Sequence, residues 1–180
     1  MTIYIALLRG INVGGHNIVK MQDLRSTLEN LGLDQVKTYI QSGNIIFQSD
    51  GNADQLQNKI EQEIKNEFGF FVPVILRTKL EWEEMIINCP YQLNSLVEGE
   101  SVHVALLEKE PTKESVNYLL EFKSENEECY IQGKEVYIFL RQSFRNSKLP
   151  NHIQKLGVPI TIRNWKTIMK LSDMVTALSN

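Results

Sequence analysis

The chain alternates short apolar runs with amphipathic segments, and this order occurs twice along its length. Residues 3–9 are almost continuously apolar, which is typical of a central β-strand. Apolar residues then recur at helical spacing between Met21 and Leu31, and Gly32 stands where a left-handed residue would end a helix. The pattern therefore predicts a strand, a long polar loop over residues 10–19, and a helix.

The rest of the first half continues with a hairpin, a helix and a further strand. Ser42-Gly43-Asn44 separates two β-rich runs, which indicates a tight turn. Asn52 is suited to cap the next helix, and Pro73 lacks an N–H, so we expect its strand to lie at a sheet edge. The predicted elements are strands at 36–41 and 45–49, a helix at 52–69, a strand at 71–77 and a short helix around Trp82.

The second half repeats this order without obvious sequence identity. Gly133 marks a second hairpin, and Pro159 again stands near the start of the fourth strand. The predicted elements are a strand at 102–107, a helix opened by Pro111 and Thr112, strands at 128–132 and 135–140, a helix at 147–156, a strand at 158–163 and a last helix through Leu178.

Both halves read β-α-β-β-α-β-α, and the βαββαβ unit is the ferredoxin-like arrangement. We therefore predict an α+β fold built by tandem duplication of this unit, with an extra helix after each half. The predicted subdomains are residues 1–90 and residues 91–180, packed together.

This topology predicts where the polar residues gather. Short connections fix the strand directions, so the loop over residues 9–17 and the hairpin over residues 41–44 should meet at one end of the first sheet. In the second half, one polar segment begins at Arg141 and another at Arg163. Both follow strands that end at the same end of the second sheet. Antiparallel packing of the halves about a pseudo-twofold axis would bring both clusters to a single cleft.

Such a cleft would suit an anion. Glycines let backbone N–H groups approach a ligand closely, arginines supply positive charge, and amide side chains give directional hydrogen bonds. The candidate ligand-binding residues are Arg9, Gly10, Asn12, Gly14, Gly15, Ser42, Gly43, Asn44, Arg145, Arg163, Asn164 and Trp165.

The same residues carry a family resemblance. The opening segment over residues 4–15, then Met21, Leu24 and Gly32, and the segment over residues 38–44 resemble a widespread bacterial family known as domain of unknown function 1697. The C-terminal motif over residues 163–167 is similar as well. The resemblance implies a pair of ferredoxin-like subdomains, and it brings no activity, substrate or catalytic residue.

Several of these residues also have simple structural interpretations. The glycine loop lacks the spacing of a P-loop or a dinucleotide-binding motif, so it is as easily a long turn as a ligand loop. Asn164 is suited to be an N-cap, and Trp165 to pack. His103 is expected in the core or on a sheet face, and the acidic stretch over residues 121–128 is expected to be a solvated helix end and turn.

Charge and cysteine content narrow the class of protein. The net charge is −3, which opposes broad binding to nucleic acid, although a local basic patch is allowed. Cys89 and Cys129 are far apart, and the three histidines lack metal-ligand spacing, so we expect neither a disulfide framework nor a metal site. No leader or membrane-spanning run is recognised, so we expect a cytoplasmic protein without a membrane partner.

Three functions are compatible with these observations. The first is binding of a small anionic ligand, such as a nucleotide or phosphate ester. The second is an RNA-binding or regulatory module that stacks bases on the aromatic residues of the hairpin strands, which are Tyr39, Phe47, Tyr137 and Phe139. The third is an enzyme without a recognisable motif, using His16 with Ser42 or an arginine-stabilised oxyanion. The sequence identifies no cofactor and no oligomeric state.

Overall fold

The computed structural model describes residues 1–180 and contains eight strands and six α-helices. Two βαββαβ halves follow one another, so the predicted α+β class and ferredoxin-like order are confirmed. The first half consists of β1 (Thr2–Leu8), α1 (Met21–Asn30), β2 (Asp34–Tyr39), β3 (Asn44–Ser49), α2 (Ala53–Phe68), β4 (Val74–Thr78) and α3 (Lys79–Ile87). The second consists of β5 (Ser101–Leu107), α4 (Lys113–Leu120), β6 (Glu127–Gln132), β7 (Glu135–Leu140), α5 (Leu149–Gln154), β8 (Ile160–Asn164) and α6 (Trp165–Ser179).

Each half forms its own four-stranded antiparallel sheet. The strand orders are β2-β3-β1-β4 and β6-β7-β5-β8. β4 therefore lies at a sheet edge, as predicted from Pro73, and so does β8. Each proline stands just before its strand, and its carbonyl oxygen still accepts a hydrogen bond, at Pro73 from the amide of Arg9 and at Pro159 from the amide of Glu108.

The core of the first sheet lies between one sheet face and helices α1 and α2. Tyr4 and Phe47 stack at 5.5 Å between ring centroids, beneath buried apolar residues of both helices. The Asn52 side chain accepts a hydrogen bond from the amide of Asp54, and Gly69 ends α2 in the left-handed conformation. The caps predicted from the sequence are therefore present.

The core of the second sheet repeats this scheme with α4 and α5. Alternate residues of β5 and β7 pack with Leu119, Leu149 and Ile153 of the two helices. Helix α5 begins at Leu149, later than predicted, because Phe144–Asn146 form a 3₁₀ turn and the Ser147 hydroxyl accepts from the Leu149 amide at 3.3 Å.

β1, β3 and β4 pair in the same register as β5, β7 and β8, which the sequence alone does not show, whereas β2 has a register shift between Asp34 and Lys37 that β6 lacks. The amide of Leu8 donates to Gly43, and the amide of Leu107 donates to Lys134, each at 2.8 Å. Buried arginines also occupy equivalent register positions: Arg77 of β4 pairs with Ile5 of β1, and Arg163 of β8 pairs with Val104 of β5.

The chain forms two compact units whose limits differ from a simple halving. The first unit comprises Met1–Glu84 with Met169–Asn180, and the second comprises Met85–Ile168. The boundary between residues 90 and 91, inferred from the sequence, stays a prediction. No helix of the chain has both the length and the apolar character that crossing a bilayer requires.

Candidate functional site

Asn12 joins the glycine loop to the hairpin of the first unit. Its side-chain nitrogen donates to the carbonyl of Gln41 at 2.8 Å and to that of Val19 at 2.9 Å. Its side-chain oxygen accepts from the amide of Val19 at 2.8 Å. The expected meeting of these two distant segments is confirmed, and Asn12 serves as the scaffold that holds them together.

The loop itself is an ordered, tightly turned structure. The amide of His16 donates to the carbonyl of Val13 at 3.0 Å, and Gly14 and Gly15 between them both have positive φ, of 59° and 76°. Positive φ at both central positions is the geometry of a type I′ turn, which glycine adopts without strain. Asn12 also has positive φ, at 54°. The loop is therefore both a turn and a pre-formed surface.

The amides of Gly14 and Gly15 are available to a ligand. Both residues are exposed, and neither N–H donates a hydrogen bond within the protein. The imidazole of His16 lies beside Gly14, since a methyl group built there would be 3.8 Å from the ring. The tip of the loop thus presents two main-chain donors next to a titratable ring.

Gly43 and Asn44 of the hairpin have structural roles. A methyl group on Gly43 would lie 2.7 Å from Cβ of Leu8 and 2.8 Å from Cδ1 of Ile11, so only glycine fits beside the first strand. Asn44 is fully buried, and its side chain donates to the carbonyl of Tyr39 and to the Ser42 hydroxyl, each at 2.9 Å. These groups stabilise the hairpin from within.

Two cationic residues flank the loop in sequence. Arg9 is half-buried directly before the loop, and Lys20 is exposed at its end with no ion pair. Residues 1–22 and 35–49 contain no aspartate or glutamate, so Asp23 is the first acid in the chain. The loop and hairpin segments therefore contain no acid, although Glu61 lies at the same end of the first sheet, where its carboxylate accepts from the amide of Val74 opposite Leu8.

Helix α1 begins where this loop ends, and its N-terminus is uncapped. Lys20 is the N-cap residue and makes no side-chain capping bond. The first-turn N–H groups of a helix need external partners and favour negative charge. They add main-chain donors close to the Asn12–Val19 contact.

The candidate residues of the second unit differ in exposure. Arg145 is exposed within the 3₁₀ turn Phe144–Asn146. Arg163 is buried, and its guanidinium donates to the Thr161 hydroxyl at 2.6 Å and to the Ile162 carbonyl at 3.1 Å. Burial lowers the pKa of Arg163 to about 10, so it stays protonated at neutral pH.

Asn164 and Trp165 mark the start of the last helix. The Asn164 side chain accepts from the amide of Thr167 at 2.9 Å, which makes it the N-cap of α6. Trp165 is half-buried in the first turn of that helix. Their participation in binding, together with Arg145 and Arg163, stays a prediction, as does a cleft shared with the first unit.

The sequence interpretation is wrong about Glu127. Instead of being solvated, its side chain is buried at the start of β6. Its carboxylate accepts hydrogen bonds from four donors, which are the Ser147 hydroxyl, the Gln142 side chain and the amides of Lys148 and Leu149. Glu127 shares its strand face with Cys129 and Ile131, which are half-buried, and this period-two pattern was the available signal.

Burial is the largest influence on the pKa values of the two cysteines and of His103. Burial raises the pKa of Cys129 to about 11 and also raises that of Cys89, so both thiols stay protonated and weakly reactive. His103 stacks on Phe144 at 4.7 Å, and burial lowers its pKa to about 4. Its Nδ1 atom is buried without a hydrogen-bond partner.

Comparison with known proteins places this geometry in a family. The chain is similar to a conserved bacterial protein from Streptococcus pneumoniae, with 34% sequence identity, a TM-score of 0.77, and coverage of 96% of this chain and 98% of the other. The search of curated proteins finds no match. The family model described as protein of unknown function (DUF1697) matches residues 1–137. The chain therefore belongs to the DUF1697 family.

Proposed function

We propose that this chain is a cytoplasmic bacterial protein that binds a small anionic ligand, such as a nucleotide or phosphate ester, at the glycine loop of its first unit. The observation that carries the proposal is the unused pair of amides at Gly14 and Gly15 within an acid-free segment flanked by Arg9 and Lys20. The unpaired cysteines, Cys89 and Cys129, fit a reducing compartment.

The glycine loop is pre-organised for binding. Asn12 holds the loop through three hydrogen bonds to Val19 and Gln41, so little conformational entropy is lost when a ligand binds. Consecutive main-chain N–H groups in a turn form a concave donor set for oxyanions. The adjacent cations act in the same direction, whereas Asp23 in the first turn of α1 offsets part of the attraction of that helix start for an anion.

Isothermal titration calorimetry against a panel of nucleotides and sugar phosphates tests the proposal. We expect saturable binding that Arg9→Ala and Lys20→Ala each weaken about tenfold, as expected for a charge-assisted contact to an oxyanion. Arg25→Ala is the matched control, because Arg25 lies on α1 and pairs with Glu29 on the helix surface. No binding by the wild type, or equal affinity in all three variants, would refute the proposal.

The RNA-binding alternative has fewer aromatic residues to use than the sequence suggests. Phe47 and Tyr137 are 0% and 1% exposed, and the Tyr137 hydroxyl donates to the carbonyl of Met85 at 2.6 Å. Tyr39 and Phe139 are half-buried, and the Arg141 guanidinium already lies over the Phe139 ring at 4.6 Å. Of the four aromatic residues predicted to stack bases, only Tyr39 and Phe139 are therefore partly accessible.

The enzyme alternative lacks a base–nucleophile pair in the first unit. The Ser42 hydroxyl accepts from the Asn44 side chain, and His16 makes no hydrogen bond to it. His16 instead borders the two free amides of the loop tip. That position suits a group that contacts a bound anion better than one that activates a serine.

A further inference from the structure

A polar cavity lies in the second unit, away from the glycine loop. It has a volume of about 300 Å³ and is bounded by the turn before β6 and the segment between β7 and α5. Its polar lining consists chiefly of Lys123, Asn126, Glu127, Gln142, Asn146 and Lys148. Two ammonium groups and three carboxamides thus border one small space.

The rear of this cavity is fixed by Glu127. One carboxylate oxygen accepts from the Gln142 side chain at 3.0 Å and from the Lys148 amide at 3.1 Å. The other accepts from the Ser147 hydroxyl and from the Leu149 amide at 3.1 Å. Because both oxygens are occupied by donors, Glu127 acts as a rigid wall and is a poor ligand for a cation.

The lysine and asparagine side chains of this cavity have no partner within the protein. Neither Lys123 nor Lys148 forms an ion pair, and the side chains of Asn126 and Asn146 make no hydrogen bond within the protein. Of the neighbouring acids, Glu128 pairs with Arg141 at 3.2 Å, and both Glu125 and Glu128 line an adjoining cavity that shares Lys123 and Glu127 with this one. The cavity therefore offers two ammonium groups and the carboxamides of Asn126 and Asn146, and the carboxylate in its own lining, that of Glu127, has both oxygens occupied by donors.

We propose that this cavity is a second ligand site, which takes a small polar molecule carrying one phosphate or sulfate group. The two lysines contact the oxyanion, and the carboxamides of Asn126 and Asn146 contact hydroxyl groups on the rest of the molecule. Two lysines suit this task because ammonium groups bind phosphate as mobile point charges. The site belongs to the second unit and does not depend on the glycine loop.

An NMR titration of the full chain with glucose 6-phosphate tests this site. We expect saturable shifts of the side-chain NH₂ signals of Asn126 and Asn146, and no such shifts with glucose. Lys123→Gln and Lys148→Gln should each weaken binding about tenfold, since each removes one charge-assisted contact. Lys113→Gln is the control, because Lys113 is exposed on α4 outside the cavity.

The same spectra distinguish this site from the one at the glycine loop. Arg9→Ala should leave the shifts of Asn126 and Asn146 unchanged, whether or not the loop binds phosphate. The proposal is overturned when these signals stay still up to about 10 mM ligand, a limit that corresponds to negligible affinity. It is equally overturned when glucose produces the same shifts, or when both lysine variants bind like the wild type.

Discussion

The side chain of Asn12 donates a hydrogen bond to the carbonyl of Gln41 at 2.8 Å, across 29 positions of sequence. This contact determines which surface the first unit presents. It places the turn with Gly14 and Gly15 beside the hairpin, while the two other bonds of Asn12 hold Val19 at the approach to α1. The candidate anion surface therefore depends on one amide side chain that itself contacts only protein.

Asn12→Ala should loosen the loop and destabilise the first unit. The substitution removes three hydrogen bonds and places alanine at a φ of 54°. We expect the free energy of unfolding to fall by about 2–3 kcal/mol. Hydrogen exchange of the Val19 amide, which donates to Asn12, should accelerate.

Asn12→Gly separates the two effects of that substitution. Glycine accepts the positive φ but lacks the side chain, so Val19 exchange should accelerate as much as in the alanine variant. If the Val19 amide exchanges at the wild-type rate in both variants, the loop is held by other contacts.

Gly43→Ala should be far more costly than Gly10→Ala. Both glycines have positive φ, but the added methyl group meets Leu8 and Ile11 within 2.8 Å at Gly43 and nothing within 4 Å at Gly10. We expect losses of about 2–4 kcal/mol at Gly43 and about 1 kcal/mol at Gly10, measured by urea unfolding. Equal losses would mean that backbone conformation alone selects glycine in the hairpin.

The sequence predicts the elements of this fold well because local rules decide them. The helical spacing from Met21 to Leu31, the cap at Asn52 and the proline before β4 each fix an element without long-range information. The meeting of loop and hairpin also follows from topology, since antiparallel neighbours bring those ends together.

The sequence fails where a long-range partner decides the environment of a residue. Glu127 stands in an acidic stretch, and its burial follows from donors at residues 142–149 that close on it after folding. Asn44 and Arg163 were predicted to face a ligand, but the pairing of their strands buries them. Composition and spacing do not identify the distant donors and strand partners that surround these side chains.

Glu127→Gln should destabilise the second unit, whereas Glu128→Gln should not. Glutamine places an NH₂ group among donors that need acceptors, so we expect a loss of about 2–4 kcal/mol at Glu127. Glu128 is exposed and pairs with Arg141 on the surface, where a single pair contributes about 0–1 kcal/mol. Urea unfolding of both variants checks this, and a smaller loss at Glu127 than at Glu128 would contradict the assigned role.

His103 should make the second unit sensitive to acid. Because its pKa is lowered from 6.5 to about 4 in the folded state, the unfolded state binds a proton first as the pH falls. The contribution of His103 to stability is complete above pH 6.5 and is lost as the pH falls towards 4. We expect a loss of about 1–2 kcal/mol, since partial exposure of the ring reduces the effect.

His103→Phe should remove that dependence. Phenylalanine retains the stacking on Phe144 and replaces the buried, unpartnered Nδ1 atom with carbon. The variant should therefore be at least as stable as the wild type at pH 7 and more stable at pH 5, by thermal unfolding at both values. An unchanged slope of stability against pH would assign the acid sensitivity to another group.

The most direct test of the anion surface follows the backbone amides of Gly14 and Gly15 by NMR as inorganic phosphate is added. We expect saturable shifts of both signals in the wild type and in Arg25→Ala, and much smaller shifts in Arg9→Ala and Lys20→Ala. If both signals stay in place in the folded wild type up to about 10 mM phosphate, anion binding at the glycine loop is contradicted.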